Sequence, residues 1–186
     1  MEKKYNTTEC LSNSFTQRKK ISQLEGDLRF TGRIYFKKSN FIKMELQGDE
    51  NLNIYCNGEK IWVEDTDLGE VETYDFHKLR SSRRLSRLLP PVFLHSVQSL
   101  KEYFEISLIE TEGRRDRLEL IPKPGSNFSF TYLRFDVDSW GRIPWMKVEY
   151  ENGDSTEMEF RKWARHPEIS DYFFQYRKPL KNSHPI

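Results

Sequence analysis

Side chains that could carry out chemistry are few and scattered in this chain of 186 residues. The sequence contains no nucleophile elbow, no His-Glu-x-x-His pair, no P-loop and no Gly-x-Gly-x-x-Gly fingerprint. The four histidines lie far apart and have no partner at metal-ligand spacing: His77, His95, His166 and His184. We therefore expect no catalytic residues, no metal site and no cofactor.

Two short acidic pairs are the remaining candidates for cation binding. Asp65 and Asp67 lie in a predicted turn, and Asp136 and Asp138 lie at a predicted strand end. The alternating oxygen ligands and distal Glu of an EF-hand loop are absent. Because Asp is common in turns, where its side chain binds nearby backbone N–H groups, we interpret both pairs as structural.

Cysteine content and hydropathy restrict the class of protein further. Cys10 and Cys56 are too few for a disulfide framework, and the sequence does not show whether they pair. The first residues carry no apolar segment of the kind found in a secretory signal. No run of about 18 apolar residues occurs, so we expect no membrane span.

The length of the chain favours one domain over residues 1–186 with a sizeable core. The 30 basic and 29 acidic residues cancel to a net charge of +1, so no overall field attracts nucleic acid or an anionic membrane. The mean hydropathy of −0.81 indicates a polar surface. The 14% of aromatic residues supply large apolar area from few side chains, which suits strands.

One local excess of charge stands out: Lys78, Arg80, Arg83, Arg84 and Arg87. We favour a solvated face, and the alternative is a docking patch for an acidic partner or for phospholipid headgroups. An RNA-binding sheet would interleave aromatic and basic residues, as Tyr55, Lys60 and Trp62 do, but no RNP-like signature follows. We therefore expect no nucleic-acid partner.

Apolar spacing changes early in the chain from a helical to a strand period. Three- and four-residue spacing predicts a short N-terminal helix through Met1, Tyr5, Thr8, Leu11 and Phe15. Beyond Gln17 apolar and polar residues alternate, which predicts half-buried strands. One of these strands runs from Leu28 to Phe36, with Gly32 as a place where it can bend.

Two hairpins fix which residues share a face. Asn57-Gly58 predicts a two-residue type I′ loop that pairs Ile54 with Ile61 and Leu52 with Val63. In the C-terminal part, a three-residue loop at Asn152-Gly153-Asp154 pairs Val148 with Met158. We prefer that loop because it collects the apolar residues on one face.

An irregular insert over about residues 77–100 separates two blocks of strands. Pro90-Pro91 precedes apolar residues at helical spacing, which predicts a short helix from about Pro91 to Leu100. About ten or eleven antiparallel strands do not stack flat without curling. We expect a mainly β (α+β) fold: an open, strongly curved antiparallel half-barrel with a short N-terminal helix and the helical insert as its lid.

An ordered set of motifs resembles the family of the periplasmic outer-membrane lipoprotein carrier LolA. The motifs are Ser14-Phe15-Thr16-Gln17, Phe36-Lys37-Lys38-Ser39-Asn40-Phe41, Asn57-Gly58-x-x-x-Trp62, Asp65-x-Asp67-Leu68-x-x-Val71, Pro90-Pro91-Val92-Phe93-Leu94, Leu120-Ile121-Pro122-Lys123, Gly141-x-Ile143, Asn152-Gly153 and Phe174-x-Tyr176-x-x-Pro179. The resemblance covers nearly the whole chain.

The resemblance implies a non-enzymatic, monomeric, periplasmic carrier. Such a protein takes the acyl chains of lipoproteins, or a related lipid, from an inner-membrane ABC-type release complex to an outer-membrane acceptor. An acyl chain of about 16 carbons gains about 0.8 kcal/mol per buried methylene, so an apolar concavity can hold it without covalent chemistry.

Face parity and the resemblance together give a candidate lipid-binding set. Its members are Ile42, Met44, Leu46, Leu52, Ile54, Ile61, Val63, Val148 and Met158 from strands, and Val92, Phe93 and Val97 from the insert. Ordinary core packing is the alternative for each of them. In the family an Arg followed by Pro ties the lid shut. Lys38-Ser39 stands there in this sequence, which makes Lys38 a candidate lid latch with fewer donor directions than Arg.

Two other functions stay open. A non-transporting member of the fold, such as a LolB-like acceptor or an RseB-like sensor, is one. An acceptor would carry a lipidated Cys near its mature start, and Cys10, the sole candidate, has no lipobox-like sequence before it. An enzyme acting on a lipid has only the lack of a recognised motif against it.

Overall fold

A computed structural model describes residues 10–37, 40–77, 83–93, 97–126, 128–166 and 169–178, and most of these residues lie in strands. The strands are β1 (Cys10–Lys20), β2 (Asp27–Lys37), β3 (Phe41–Gly48), β4 (Leu52–Asn57), β5 (Lys60–Asp65), β6 (Glu70–Asp75), β7 (Phe104–Glu112), β8 (Arg115–Pro122), β9 (Phe130–Asp138), β10 (Trp145–Tyr150) and β11 (Ser155–His166). Within these ranges, helices are found at α1 (Arg83–Leu88) and α2 (Val97–Tyr103), with 3₁₀ turns at Pro91–Phe93 and Asp171–Phe174.

All eleven strands join one antiparallel sheet in the order β6-β5-β4-β3-β2-β1-β11-β10-β9-β8-β7. The first and last strands pair with each other at its centre, and two series of hairpins run outward from them. Within the described residues, the edge strands β6 and β7 do not pair with one another. The sheet is therefore open and curved, and the predicted fold class of a mainly β half-barrel is confirmed.

The predicted N-terminal helix is wrong from Cys10 onward. Leu11 and Phe15 lie in β1, which has a hydrogen-bonded neighbour on each side. A spacing of four residues fits one face of a helix and also, because it is even, one face of a strand. Pairing with β2 and β11 decides between them. The earlier residues of the pattern, Met1, Tyr5 and Thr8, lie outside the described residues.

The first predicted hairpin turns one residue later than expected. Its loop is Gly58-Glu59, so Ile54 pairs with Val63 and not with Ile61. Only the glycine has a positive φ, 84°, as a type II′ turn requires. The side chain of Asn57 instead accepts two backbone N–H groups of the turn, at 3.0 and 2.8 Å. The predicted register was wrong by two residues, and an even shift leaves every side chain on its predicted face.

The second hairpin has the predicted loop length at a different position. Its three loop residues are Glu151-Asn152-Gly153, and Val148 pairs with Thr156 and not with Met158. Gly153 has a φ of 81°, which is typical of the last position of such a loop. The register again differs by two residues, so the apolar face was predicted correctly.

Gly32 lets an aromatic side chain lie directly on the sheet. It pairs with Phe15 of β1. A Cβ atom at this position would approach Phe15 Cζ to 2.5 Å and the carbonyl oxygen of Glu45 to 2.2 Å. Any side chain larger than hydrogen would therefore displace either the ring or the neighbouring strand.

The described part of the insert is helical in short pieces. The predicted helix from Pro91 to Leu100 is a 3₁₀ turn at Pro91–Phe93 followed by α2, and α1 precedes both. Residues 94–96 lie outside the described part of the chain. Within the described ranges, no helix is both long and apolar enough to cross a bilayer.

A C-terminal segment covers part of the outer face of the sheet. Phe173 packs edge-on against Tyr35 with ring centroids 4.9 Å apart, and Phe174 is fully buried. Lys37 Nζ donates to the carbonyl of Ile169 at 2.9 Å and pairs with Asp171 at 2.6 Å. This outer cluster is separate from the core on the inner face.

Candidate functional site

The inner face of the sheet carries one continuous apolar cluster. All nine strand residues of the predicted lipid-binding set belong to it, and none is more than 4% exposed: Ile42, Met44, Leu46, Leu52, Ile54, Ile61, Val63, Val148 and Met158. They come from β3, β4 and β5 on one side and β10 and β11 on the other. The structure brings them together as face parity predicts, and their role in binding stays a prediction.

The insert supplies the cover of this apolar face. Leu85, Leu88 and Leu89 are buried within the same cluster, and Val92 and Phe93 pack against it while partly exposed. Burial of each leucine contributes about 1.5–3 kcal/mol relative to exposure. Side chains of the insert and of the strands therefore share one apolar core.

Phe93 connects the insert to two strands of the sheet. Its ring centroid lies 5.1 Å from that of Phe36 on β2 and 5.6 Å from that of Phe160 on β11. Aromatic pairs at such separations contribute about 0.5–1.5 kcal/mol each beyond the area they bury. Phe93 therefore contacts both strands that flank β1, and these contacts hold the insert against the centre of the sheet.

A cationic side chain makes a second contact between the insert and the sheet. Arg87 of α1 places its Nη1 3.3 Å from Asp154 Oδ2, and its guanidinium lies 4.8 Å from the ring centroid of Tyr150. Both partners belong to the β10–β11 hairpin region. This contact ties insert to sheet, which is the role that the resemblance assigns to Lys38.

The predicted lid latch Lys38 and the predicted lining side chain of Val97 lie outside the described part of the structure. Lys38 lies outside the described residues. Val97 begins α2, but its side chain lies outside the described part. Among the five basic residues of the local charge excess between Lys78 and Arg87, Arg87 alone has a described side chain, and this side chain pairs with Asp154.

Asp154 is held as a carboxylate by its surroundings. Its Oδ1 accepts hydrogen bonds from the backbone N–H of Ser22 at 2.9 Å and from the Ser22 hydroxyl at 3.0 Å. The Asn152 amide donates to Oδ2 at 2.7 Å. These bonds, the Ser22 N–H first, and the charge of Arg87 lower the pKa of Asp154. The anchor for Arg87 is thus charged at neutral pH.

The members of the two acidic pairs have different local roles. Asp65 Oδ1 accepts the backbone N–H groups of Asp67 and Leu68, both at 3.0 Å. Asp136 instead pairs with Arg117, whose Nε lies 2.7 Å from Oδ1. Across the described ranges, no group of three or more His, Cys, Asp and Glu side chains is placed to hold a metal ion.

The two cysteines are free and buried, so they form no disulfide. Burial raises the pKa of the Cys56 thiol to about 11 and also raises the pKa of Cys10. A buried thiol with a raised pKa is a poor nucleophile at neutral pH. Cys10 in β1 and Cys56 in β4 are therefore packing residues.

Sequence reasoning missed several residues that matter here. Phe36 and Phe160 both contact Phe93, and the sequence analysis assigns this role to neither of them. The alternating pattern signals their face, but no local pattern signals their partner. Asn13 faces the interior and was missed because the start of β1 was interpreted as a helix.

Comparison with protein families gives the decisive relationship. The family model described as outer membrane lipoprotein carrier protein LolA matches residues 6–177. The chain belongs to the LolA family. One curated relative of this LolA-family chain, an outer-membrane lipoprotein carrier protein of Nitrosomonas europaea, is 24% identical over 126 residues. The match covers 68% of this chain and 58% of that relative, so it spans little more than half the length of that protein.

Solved structures support the fold of this LolA-family chain. A putative outer membrane lipoprotein-sorting protein domain from Vibrio parahaemolyticus has a TM-score of 0.54 at 12% identity and covers 93% of this chain and 92% of that one. A LolA superfamily protein from Nitrosomonas europaea has a TM-score of 0.51 at 11% identity and covers 91% of both chains. At such identities the likeness concerns the fold alone.

Proposed function

We propose that this LolA-family protein is a non-enzymatic carrier that binds the acyl chains of lipoproteins, or of a related lipid, inside its half-barrel. The observation that carries the proposal is the apolar inner face covered by an insert whose own apolar side chains fill it. A hydrocarbon chain offers the same kind of contact that Leu85, Leu88 and Leu89 make, so it can replace them without creating unpaired polar groups.

Magnitudes favour such an exchange. The three leucines together contribute about 5–9 kcal/mol by burial. An acyl chain of about 16 carbons contributes about 12 kcal/mol on leaving water, at about 0.8 kcal/mol for each methylene. Binding can therefore offset displacement of the insert and leave a net gain. Because the difference is only a few kcal/mol, a partner that favours the closed state can drive release.

The proposal extends to place and partners on the strength of family membership. We infer action in the periplasm, as a monomer, with acylated cargo received from an inner-membrane release complex and passed to an outer-membrane acceptor. Nothing in this scheme requires a covalent step, a metal or a nucleic acid. Lid opening and closing, together with contact between apolar surfaces, account for uptake and release.

Displacement of a bound fluorescent hydrophobic probe tests the proposal. A triacylated peptide should displace the probe, and the same peptide without acyl chains should not. The chain-length dependence makes the test quantitative, because each methylene removed from one chain should weaken binding about fourfold if that chain is fully buried. Equal displacement by acylated and non-acylated peptides would contradict the carrier function, and an affinity independent of chain length would contradict burial of the chain.

A further inference from the structure

Two amide side chains face the apolar interior from β1. Asn13 is 1% exposed and pairs with Ile34 of β2. Gln17 is 5% exposed and pairs with Phe30 on one side and Met158 on the other. Directly opposed residues of an antiparallel pair project to the same face, and all three partners belong to the core cluster. Both amides therefore lie inside the half-barrel.

The oxygen of Asn13 has a structural partner. The register between β1 and β11 shifts between Ser12 and Ser14, and the backbone N–H of Arg161 donates there to Asn13 Oδ1 at 2.8 Å. This bond fixes which end of the amide is which, since only the oxygen can accept. The NH₂ group must then point away from the Arg161 N–H.

That NH₂ group has no hydrogen bond within the described part of the chain, although it is buried. The Oε1 atom of Gln17 is also buried and has no hydrogen bond within the described residues. Buried donors and acceptors in native proteins are nearly always paired, because leaving one unpaired costs free energy. The bond to Arg161 explains the oxygen of Asn13 and leaves its nitrogen unexplained.

The location of Asn13 connects it to the moving part of the fold. Phe36 on β2 and Phe160 on β11 lie within two residues of the positions that Asn13 contacts on those strands. Phe93 of the insert packs against both of these rings. The insert therefore crosses the sheet at the level of Asn13, and its displacement would uncover the amide.

We propose that the Asn13 NH₂ group is a polar binding point for the ester carbonyl of an acylglyceryl ligand that enters when Phe93 moves aside. The proposal rests on the proposed function, since it adds a chemical class to the same interior. A carbonyl oxygen is a good acceptor for an amide donor, whereas a plain hydrocarbon has none and an ether oxygen is weaker. The ester can come from a lipoprotein or from a glycerolipid.

The test compares two lipopeptides that differ only at the carbonyl. One carries two ester-linked hexadecanoyl chains on a glyceryl cysteine, and the other carries two ether-linked hexadecyl chains. The wild-type protein should bind the ester form about three- to tenfold more tightly, the value of one hydrogen bond. A diacyl phospholipid and its diether analogue, each used below the concentration at which it aggregates, form a second pair for the same comparison. Preference for the ester in either pair supports the proposal and identifies the source.

Variants connect the preference to Asn13. Asn13→Leu should bind both lipopeptides with equal affinity. Ser14→Ala is the matched control, since the Ser14 hydroxyl donates to the Arg161 carbonyl at 2.9 Å at the same register shift but on the outer side. It should keep the wild-type preference. If Asn13→Leu does not fold, the side-chain amide signal of Asn13 in the NMR spectrum of the wild-type protein decides, and it should shift downfield with the ester ligand only.

Failures of the two proposals are distinguishable. If neither lipopeptide binds, the carrier function fails. If both bind with equal affinity, or if the Asn13 amide signal does not respond to the ester, acyl binding stands and the role of Asn13 is refuted. An ester preference that persists in Asn13→Leu also refutes it.

Discussion

Removal of the Phe93 ring should loosen the cover of the half-barrel. Phe93 makes two ring contacts across the sheet, at 5.1 Å to Phe36 and 5.6 Å to Phe160. The two ring pairs alone contribute about 1–3 kcal/mol, at about 0.5–1.5 kcal/mol each, and Phe93→Ala should destabilise the closed state by at least this amount. Since 1.4 kcal/mol is a factor of ten, the ring pairs alone should raise the open population by roughly 5- to 150-fold.

Two measurements read out that population. Amide hydrogen exchange in α2 (Val97–Tyr103) should accelerate by a comparable factor, because these amides exchange when the insert opens. The uptake rate of a hydrophobic fluorescent probe, measured by stopped flow, should rise in parallel. If the lid must open before the probe binds, the apparent uptake rate is proportional to the fraction of time that the lid is open.

A variant on the outer face provides the matched control. Phe173 also has two ring contacts, at 4.9 Å to Tyr35 and 5.4 Å to Phe174, but on the opposite side of the sheet. Phe173→Ala should lower stability by a similar amount and leave the uptake rate unchanged. If the two variants change uptake equally, or if Phe93→Ala changes neither exchange nor uptake, the insert does not act as a lid.

Three further predictions follow from local geometry. Gly32→Ala should lower the free energy of unfolding by about 1–3 kcal/mol, because the new Cβ would clash with Phe15 and with the Glu45 carbonyl. Chemical denaturation measures this change. The control variant Gly69→Ala lies in an open turn and should show only the cost of its positive φ. Asp154 has a pKa below its ordinary value of 3.8 in the fold. Its contribution to stability should be complete above that value and lost as the pH falls through the lowered pKa, and Asp154→Asn should remove this part of the difference in stability between pH 7 and pH 2.5. Both thiols should react with a disulfide reagent at pH 8 far more slowly in the native protein than in denaturant, since both are buried; equal rates would contradict that burial.

Much of the fold follows from alternation along single strands. Side-chain parity places Ile42, Met44 and Ile54 on one face whatever their exact partners are. Both hairpin registers were wrong by two residues, and neither error moved a side chain to the other face. The details of a turn depend on which residue takes the positive φ, and two neighbouring candidates, such as Asn57 and Gly58, leave that choice open.

Contacts between distant segments are what the sequence could not supply. The start of β1 carries spacing that fits both a helix and a strand, and only its two neighbouring strands decide the matter. The pairing of Arg87 with Asp154 joins residues 67 positions apart. Nothing near either residue indicates the other. For the same reason the inward-facing amide of Asn13 emerges only once β1 is placed in the sheet.

Photo-crosslinking with an acylated peptide tests the central claim most directly. A peptide whose acyl chain carries a diazirine near its end would be bound, irradiated and mapped by mass spectrometry. We expect adducts on inner-face residues of β3, β4 and β5 and on the insert near Phe93. An excess of the acylated peptide without the diazirine should abolish these adducts, and the same excess of the non-acylated peptide should leave them unchanged. Adducts confined to the outer face, such as the segment around Phe173, would contradict binding of acyl chains inside the half-barrel.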